Sequence, residues 1–593
     1  MKSRRVNEIV GEAMIDYGKF ENAIGLNWYE IDPNLQQLMH RKLDPADLKW
    51  CEPELTRVGA LVGGPIAERA EITDKNPPQL ISFDRWGERI DEVRHHPTAL
   101  ATKRDAWAAG ISGPRLRNEA ARLGRPYPAI MTTALNYLLS QAETGMLCAI
   151  GMTSGVLGLV SRYAPKHLKD EFVRHLTAED FDDAWDGAMF MTEKTGGSDL
   201  GTLTTTARRD GERWLLNGSK WFCSNVDASA IATLARPEGA PDGLRGVALF
   251  LVPRLRRDGR RNGIHIRRLK DKLGTRAVPT AEVDFVDAEA YLMAGEDAGA
   301  EAALDGRGIN RMMEMVNESR HGVSVMGLGI MRRAFLESAI FAAHRSAFGR
   351  LLQDLPMMRE TLVGMVVELE AAAALVFAAT ADDGPLSRLL VPLAKFRATR
   401  RGVELASQAV EVHGGNGYIE NWPVARQLRD AQCHTIWEGT ENIISLDVMR
   451  ALRDEQVVKM LFGSIEARLS VSAPMLEAAR GTVAGALSEL REALQFLSRA
   501  ERDLAQLRAR SFTAYLADVA QAALLLEEAQ WELENRASAR KAVVAELFIR
   551  SHLAHRPLRG ITSSERVALD LFEPLTRYGE IEPSRAEAAL RTQ

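Results

Sequence analysis

The spacing of apolar positions divides the chain into five stretches. Residues 1–80 keep no steady period. Pro33, Pro45, Pro53 and Pro65 interrupt them and Asn76-Pro77-Pro78 closes the segment, so short helices and loops are predicted in this N-terminal extension. Over 81–184 the spacing turns helical from His96 to about His175. Ile130, Ala134, Leu138, Gln141 and Met146 mark one helix, with Leu157–Tyr163 in the next. The period changes over 185–292. Ala188–Met191 is an apolar run, Arg213–Phe222 reads as strand, turn and strand, and Ala230–Ala235 and Gly246–Val252 are apolar strands. Ala281–Phe285 alternates with period two, and an antiparallel β domain is predicted. Helices return over 293–452. Met312–Ala343, Met357–Ala379 and Leu389–Val412 are long, Gly414-Gly415-Asn416-Gly417 ends the third, and Glu441–Ala451 begins a fourth. Residues 453–593 are helical again, with three-four spacing in Gln495–Arg510 and Tyr515–Arg536. Helices, then strands, then helices make an α+β fold of segregated layers: an N-terminal helical domain, a central antiparallel β domain, a C-terminal four-helix bundle and an extra helical C-terminal domain.

Composition mainly excludes. With 46% apolar and 26% charged residues in 593, the chain has the make-up of a globular protein with ample core. Its 75 Lys and Arg against 80 Asp and Glu rule out a disordered polyelectrolyte and a chain devoted to coating nucleic acid. Cys51, Cys148, Cys223 and Cys433 lie far apart with no C-x-x-C pair, so neither a zinc ribbon nor a dithiol redox motif is available. Reduced thiols fit a cytosolic protein. The start, Met1-Lys2-Ser3-Arg4-Arg5-Val6-Asn7-Glu8, has no apolar run behind it, and Ala149–Val160 is too short to span a bilayer. No membrane span and a cytoplasmic location are expected.

Three motifs carry candidate chemistry. Trp437-Glu438-Gly439-Thr440-Glu441-Asn442-Ile443 presents a carboxylate at a loop-to-helix junction beside a Trp and a glycine. Burial there raises a carboxyl pKa toward the range of a useful base. The bland alternative is a capping Thr440 with Glu438 on the surface. Met191-Thr192-Glu193-Lys194-Thr195-Gly196-Gly197-Ser198-Asp199 follows an apolar strand, and its glycines allow close backbone approach to a polar ring or phosphate, or simply a turn. Trp221, in Lys220-Trp221-Phe222-Cys223-Ser224, is suited to stacking on a flat cofactor or to filling a core.

Together these motifs resemble the acyl-CoA dehydrogenase family of flavoproteins. The matching residues are Met191-Thr192-Glu193 with Gly197-Ser198, Lys220-Trp221, Lys272-Leu273-Gly274-Thr275-Arg276, Arg345-Ser346-Ala347-Phe348-Gly349, Gly414-Gly415-Asn416-Gly417-Tyr418, Arg429-Asp430-Ala431 and Glu438-Gly439-Thr440. They keep the family's order from about residue 100 to 452. Leu269–Gly274, Ile436-Trp437-Glu438-Gly439, Val93–Pro97 and the C-terminal extension look like the AidB branch, the alkylation-response flavoproteins. The resemblance implies FAD held between the β domain and the helical layer, an acyl-CoA or related thioester on one flavin face, Glu438 removing the α-proton, and hydride leaving to the flavin. It implies that Met191, Thr192, Trp221 and Ser224 line the flavin, and that Gly197 and Ser198 meet flavin or the pantetheine arm. Trp437, Thr440 and Asn442 would contact FAD beside the base, and Arg345, Phe348 and Gly415 would come from a neighbouring subunit. Arg320 is implied beside the base and CoA tail. An obligate homotetramer or homodimer follows, with an electron-transfer partner or oxygen as the next acceptor.

The sequence departs from the family pattern in places. Trp437 stands where most members have Tyr, Glu411 where many have Gln, and Pro356 at a family Gln. Some members place their base on the first long helix just before the Arg. Here that residue is Ser319, with Glu318 one position off, so Glu438 is preferred. The most basic stretch, Arg254-Leu255-Arg256-Arg257-Asp258-Gly259-Arg260-Arg261 continuing to Arg267–Lys272, is either a solvated hairpin or a phosphate-attracting surface. The second, together with the AidB resemblance, makes a DNA-binding, stress-protective flavoprotein with little dehydrogenase turnover the rival function. His552 and His555 lack a third ligand nearby, and no metal site is expected.

Overall fold

The computed structural model describes residues 14–380, 384–555 and 564–591; the basic start at Met1–Glu8 lies outside them. Along the chain run α1 (Pro33–Lys42), α2 (Pro45–Leu61), α3 (Ala67–Lys75), the strands β1 (Gln79–Phe83) and β2 (Arg89–Arg94), then α4 (Pro97–Ala108), α5 (Arg115–Arg122), α6 (Ala129–Ser140), α7 (Thr144–Tyr163) and α8 (Lys166–Leu176). Seven strands follow: β3 (Gly187–Phe190), β4 (Thr206–Asp210), β5 (Arg213–Ser224), β6 (Ala230–Pro237), β7 (Ala248–Pro253), β8 (Ile264–Leu269) and β9 (Thr280–Leu292). Next come α9 (Gly308–His344), the short β10 (Ser346–Ala347) and β11 (Arg350–Leu351), α10 (Pro356–Thr380), α11 (Ser387–His413), α12 (Pro423–His434) and α13 (Glu441–Ala451). The C-terminal part begins with α14 (Glu455–Arg468), α15 (Glu477–Arg499), α16 (Arg502–Arg536) and α17 (Arg540–His552). These elements form two compact units, one of residues 66–127 and 142–323, the other of 1–65, 128–141 and 324–593.

In the first unit the strand pairings close on themselves. β6 pairs β4, β4 pairs β5, β5 pairs β9, β9 pairs β7, and β7 returns to β6, with β3 and β8 added at the margins. Most pairs are antiparallel as expected, but β3–β6 and β4–β6 are parallel. The interior is filled by Phe190, Trp214, Phe250 and Phe285. A second core forms where α7, α8 and the start of α9 cover the outer face of β6 and β7, through Val156, Phe172 and Met315. The predicted strand–turn–strand at Arg213–Phe222 is one strand. Asn217-Gly218 is a bulge against β9, where Gly218 has φ +150° and a Cβ would meet Thr205 Cα at 2.7 Å.

The second unit is helical. Nearly all of α10 is buried, from Leu362 to Ala379, and it packs on α11, α16 and α17. Two predicted boundaries move. Gln141 and Met146 do not share a helix with Ile130, because α6 stops at Ser140 and Glu143 starts α7 by accepting the Gly145 N–H. The Gln495–Arg510 period crosses a break at Ala500, after which Glu501 caps α16. The α12 helix and the β1–β2 hairpin were not predicted. The stretch read as Ala149–Val160 belongs to a 20-residue helix. That helix and Pro356–Thr380 are long and apolar enough to cross a membrane, yet 67% and 89% of their apolar windows are buried in protein, as in core helices.

Candidate active site

Each unit holds one part of the predicted site. In the first, β3 leads into the loop Met191–Ser198. Glu193 is buried beneath it. Its carboxylate accepts bonds from the N–H groups of Thr204 (2.7 Å) and Thr205 (3.1 Å), from both hydroxyls (2.7 and 2.6 Å) and from Lys220 Nζ (2.9 Å). Burial alone would raise this carboxyl pKa, but the Lys220 ammonium and the hydrogen bonds overcome it and hold it at about 2. Lys220, buried on β5, also donates to the Leu234 carbonyl at 2.9 Å. The pair ties the loop to the strand, and the next N–H along β5, that of Trp221, donates to the Thr192 carbonyl at 2.8 Å. Gly197 lets the loop fold back, since a Cβ there would lie 2.5 Å from Thr192 Oγ1. Met191, Thr192, Gly197 and Trp221 are therefore half-buried neighbours of one anchor, with Ser198 exposed at the rim. Ser224 Oγ lies 3.0 Å from Thr280 Oγ1. Lys270 Nζ stands 3.7 Å from the Trp221 ring centroid, a contact that motif reading did not anticipate.

Arg320 is buried on α9 in the same unit and donates to Asn317 Oδ1 at 3.2 Å, so it is no surface arginine. Glu318 is exposed and paired with Arg162 at 3.5 Å. The basic stretch is largely answered by acceptors. Arg254 donates to the carbonyls of Val226 and Asp91, Arg260 to Asp258, Arg267 to Asp284, and Arg268 and Lys270 to Glu282. Lys272 donates to the carbonyls of Thr275 (2.6 Å) and Val278 (2.7 Å).

In the second unit the loop between α12 and α13 carries Trp437-Glu438-Gly439-Thr440. The N–H groups of Ile436 and Trp437 both donate to the Cys433 carbonyl at 3.0 Å, winding the chain tightly. Leaving this turn, Glu438 takes φ +56° and Gly439 φ +108°. For Glu the left-handed conformation is strained by about 1–2 kcal/mol, and such strain gathers at functional sites. It presents a half-buried carboxylate on the loop. Beneath the loop, buried Lys395 of α11 donates to the carbonyls of Thr435 (3.2 Å) and Gly439. Neighbouring His434 is fully buried, with neither ring nitrogen hydrogen-bonded among the described residues. Burial, then the Lys395 ammonium, lowers its pKa to about 3, so the ring is neutral. Thr440 occupies the N-cap position of α13 without a side-chain capping bond, which removes the bland reading of the motif. Trp437 is half-buried, its ring 6.0 Å from that of His434, and Asn442 is exposed. Sequence reasoning missed Lys395; its signal was a lone lysine inside the apolar run Leu389–Phe396.

Arg345, Phe348 and Gly415 lie on the surface of this unit. Phe348 is 93% exposed at the tip of the β10–β11 hairpin, with φ +52°. The hairpin follows α9 and the glycine turn follows α11, and the rings of Phe341 and His413 join those two helix ends at 4.3 Å. His552 is engaged with Glu368 at 2.6 Å, and no metal-holding group of three His, Cys, Asp or Glu exists among the described residues.

Family models cover most of the chain. "Adaptive response protein AidB N-terminal domain" matches residues 20–183, "Acyl-CoA dehydrogenase, middle domain" 188–288, and "Acyl-CoA dehydrogenase, C-terminal domain" 306–453. "Acyl-CoA dehydrogenase 11 C-terminal domain-like" matches 456–571. The AidB protein of Escherichia coli (strain K12) is 35% identical over 436 residues, 68% of this chain and 75% of AidB. The chain belongs to the acyl-CoA dehydrogenase family. Within that family it is AidB-like, and it has the family's fold of N-terminal helical, middle β and C-terminal helical domains with an added C-terminal domain. The family makes it a flavoprotein oxidoreductase. Acyl-CoA dehydrogenase family member 11 of Caenorhabditis elegans is 31% identical over 458 residues, 74% of this chain and 72% of that protein. The crystal structure of Caenorhabditis elegans ACDH-11 in complex with C11-CoA superposes with a TM-score of 0.82 at 27% identity, covering 94% of this chain and 96% of that one.

Proposed function

We propose that this protein is a FAD-dependent dehydrogenase that introduces an α,β double bond into an acyl-CoA or related thioester, with Glu438 as the base. The observation that carries this reading is the strained, half-buried Glu438 on a loop held by Lys395. FAD fits the residues present. Trp221 offers a half-buried ring, Gly197 admits close backbone approach, and Ser224 and Thr280 supply hydroxyls. Met191, Thr192, Gly197, Ser198, Trp221, Ser224, Trp437, Thr440 and Asn442 would hold it. Arg345, Phe348 and Gly415, exposed on this chain, would serve the cofactor of a neighbouring copy in a cytoplasmic homotetramer or homodimer. Bound FAD supplies the two-electron acceptor for the β-hydrogen. Glu438 takes the α-proton onto its carboxylate, and buried Arg320, with Ser198 at the loop rim, would engage the CoA portion. The ACDH-11 complex supports acyl-CoA as the substrate class.

Anaerobic titration of the purified holoprotein with acyl-CoA esters tests this reading. Flavin absorbance should bleach, and Glu438→Gln should slow bleaching by about 10²–10⁴-fold. An unchanged rate in the variant overturns the base assignment. Oxygen consumption then separates an oxidase from an enzyme that passes electrons to a partner protein. For the DNA-binding rival, four of the nine cations in Arg254–Lys272 are already paired with carboxylates, Arg260 with Asp258, Arg267 with Asp284, and Arg268 and Lys270 with Glu282, which reduces the charge left for phosphate. Weak, salt-sensitive retardation at most is expected of duplex DNA.

A further inference from the structure

A groove of about 1360 Å³ opens between α13–α14 and α15–α16, starting at Leu446 on α13, the helix that follows the base loop. Its lining includes Leu446, Met449, Val458, Phe462, Leu494 and Leu497. Five cations line it, Arg450, Arg453, Lys459, Arg491 and Arg502, against the two carboxylates of Glu455 and Glu466. Arg450 pairs with Asp447 at 3.0 Å and Arg491 with Glu466. Arg453, Lys459 and Arg502 are exposed and make no side-chain hydrogen bond or ion pair among the described residues.

Size and charge together select the occupant. Small-molecule sites enclose roughly 300–1,000 Å³ around most of the ligand's surface, and this groove is both larger and open. A three-turn helix, about 16 Å long and 10 Å across, fills roughly 1,300 Å³. A duplex would meet the groove with its solvated phosphates and leave the part-exposed Leu446, Met449 and Leu494 unmatched. We propose that this groove is a docking site for an acidic amphipathic helix of a partner protein, its apolar face on Leu446, Met449 and Leu494 and its carboxylates on Arg453, Lys459 and Arg502. The mode is helix-in-groove recognition with a charged rim. It does not depend on the dehydrogenation chemistry.

The test uses the full-length holoprotein and a fluorescein-labelled, lactam-stapled helix of about 12 residues, with Leu and Phe at i, i+3, i+4 and i+7 and Glu elsewhere. Anisotropy should rise saturably at micromolar protein, and the same peptide with Lys for Glu should bind at least about tenfold more weakly. The triple variant Arg453→Glu, Lys459→Glu, Arg502→Glu changes only exposed side chains and should weaken the acidic peptide by about tenfold or more, with an unchanged circular-dichroism melt. Leu494→Glu, in the floor, should do the same. Absence of saturable binding, equal binding of the Lys peptide, or an undiminished signal in both variants overturns the proposal. Three further results also overturn it by naming another occupant: displacement of the peptide by lauroyl-CoA, duplex DNA binding abolished by the triple variant, or a change of mass by light scattering in that variant.

Discussion

Lys395 decides the shape of the base loop through one ammonium group. Lys395→Met removes the donor to two loop carbonyls, Thr435 and Gly439, and should destabilise the fold by about 2–5 kcal/mol in urea denaturation. His434 gives a pH signature with a defined sign. Its folded pKa is about 3 against an ordinary 6.5, so between those values the unfolded chain binds a proton that the native chain refuses. Stability should fall as pH drops through that window, and His434→Phe should flatten the loss between about pH 6.5 and 5 in thermal melts. Glu193 adds a lower step. Held at about 2 against 4.5, it stabilises fully above 4.5 and loses that contribution, of order a few kcal/mol, as pH falls toward 2. Motif spacing singled out Glu438, Thr192 and Trp221, and the structure places Glu438 at a positive φ on its loop and Thr192 and Trp221 side by side through a backbone hydrogen bond. Lys395 was not legible in the sequence, since its acceptors are backbone carbonyls some forty residues away, and carbonyls leave no mark in a sequence.

At the scale of elements, the three long helices and the apolar strands were readable because period and length agree over many residues. The misses share a physical cause. Helices abut at Gln141–Glu143 and at Ala500-Glu501, where a side-chain cap replaces a glycine or proline stop and the apolar period runs on across the joint. The β1–β2 hairpin turns on Asp84, whose carboxylate accepts from the N–H groups of Trp86 (2.8 Å) and Glu88 (2.9 Å), and its strands are too short and polar to register. Asn217-Gly218 misled in the other direction, because the dipeptide typical of hairpin turns serves a bulge here. Gly218→Ala is expected to cost about 1–3 kcal/mol or more by denaturation, since the new Cβ meets Thr205 backbone and side chain and the φ of +150° is strained for alanine.

At the scale of the whole chain, a buried charge network joins residues as far apart as Asn34 and Lys541. Glu370 of α10 is fully buried and paired with Arg540 and with Lys541 Nζ at 2.6 Å, both on α17. Lys541 reaches on to Glu528 (2.8 Å) on α16 and to Asn34 (2.6 Å) on α1. Burial opposes the Glu370 charge, yet the two cations hold its pKa at about 2. Glu370→Ala leaves Arg540 and Lys541 under-compensated and should lose about 3–5 kcal/mol by chemical denaturation. This network was not legible beforehand, since nothing local distinguishes buried Glu370 from its neighbour Glu368 within the otherwise apolar stretch Val366–Ala374.

That network acts as a ratchet on the architecture. Once an acid at 370 had come to rely on counter-ions in the last tenth of the chain, the terminal helices ceased to be an optional accessory. A truncation ending near Leu452 strands Glu370 without either cation, so it should be recovered only as aggregate, and Glu370→Leu in the same truncation should restore part of its solubility. Trimming the protein back to its first 452 residues is therefore expected to take two coordinated changes, the truncation and the replacement of Glu370.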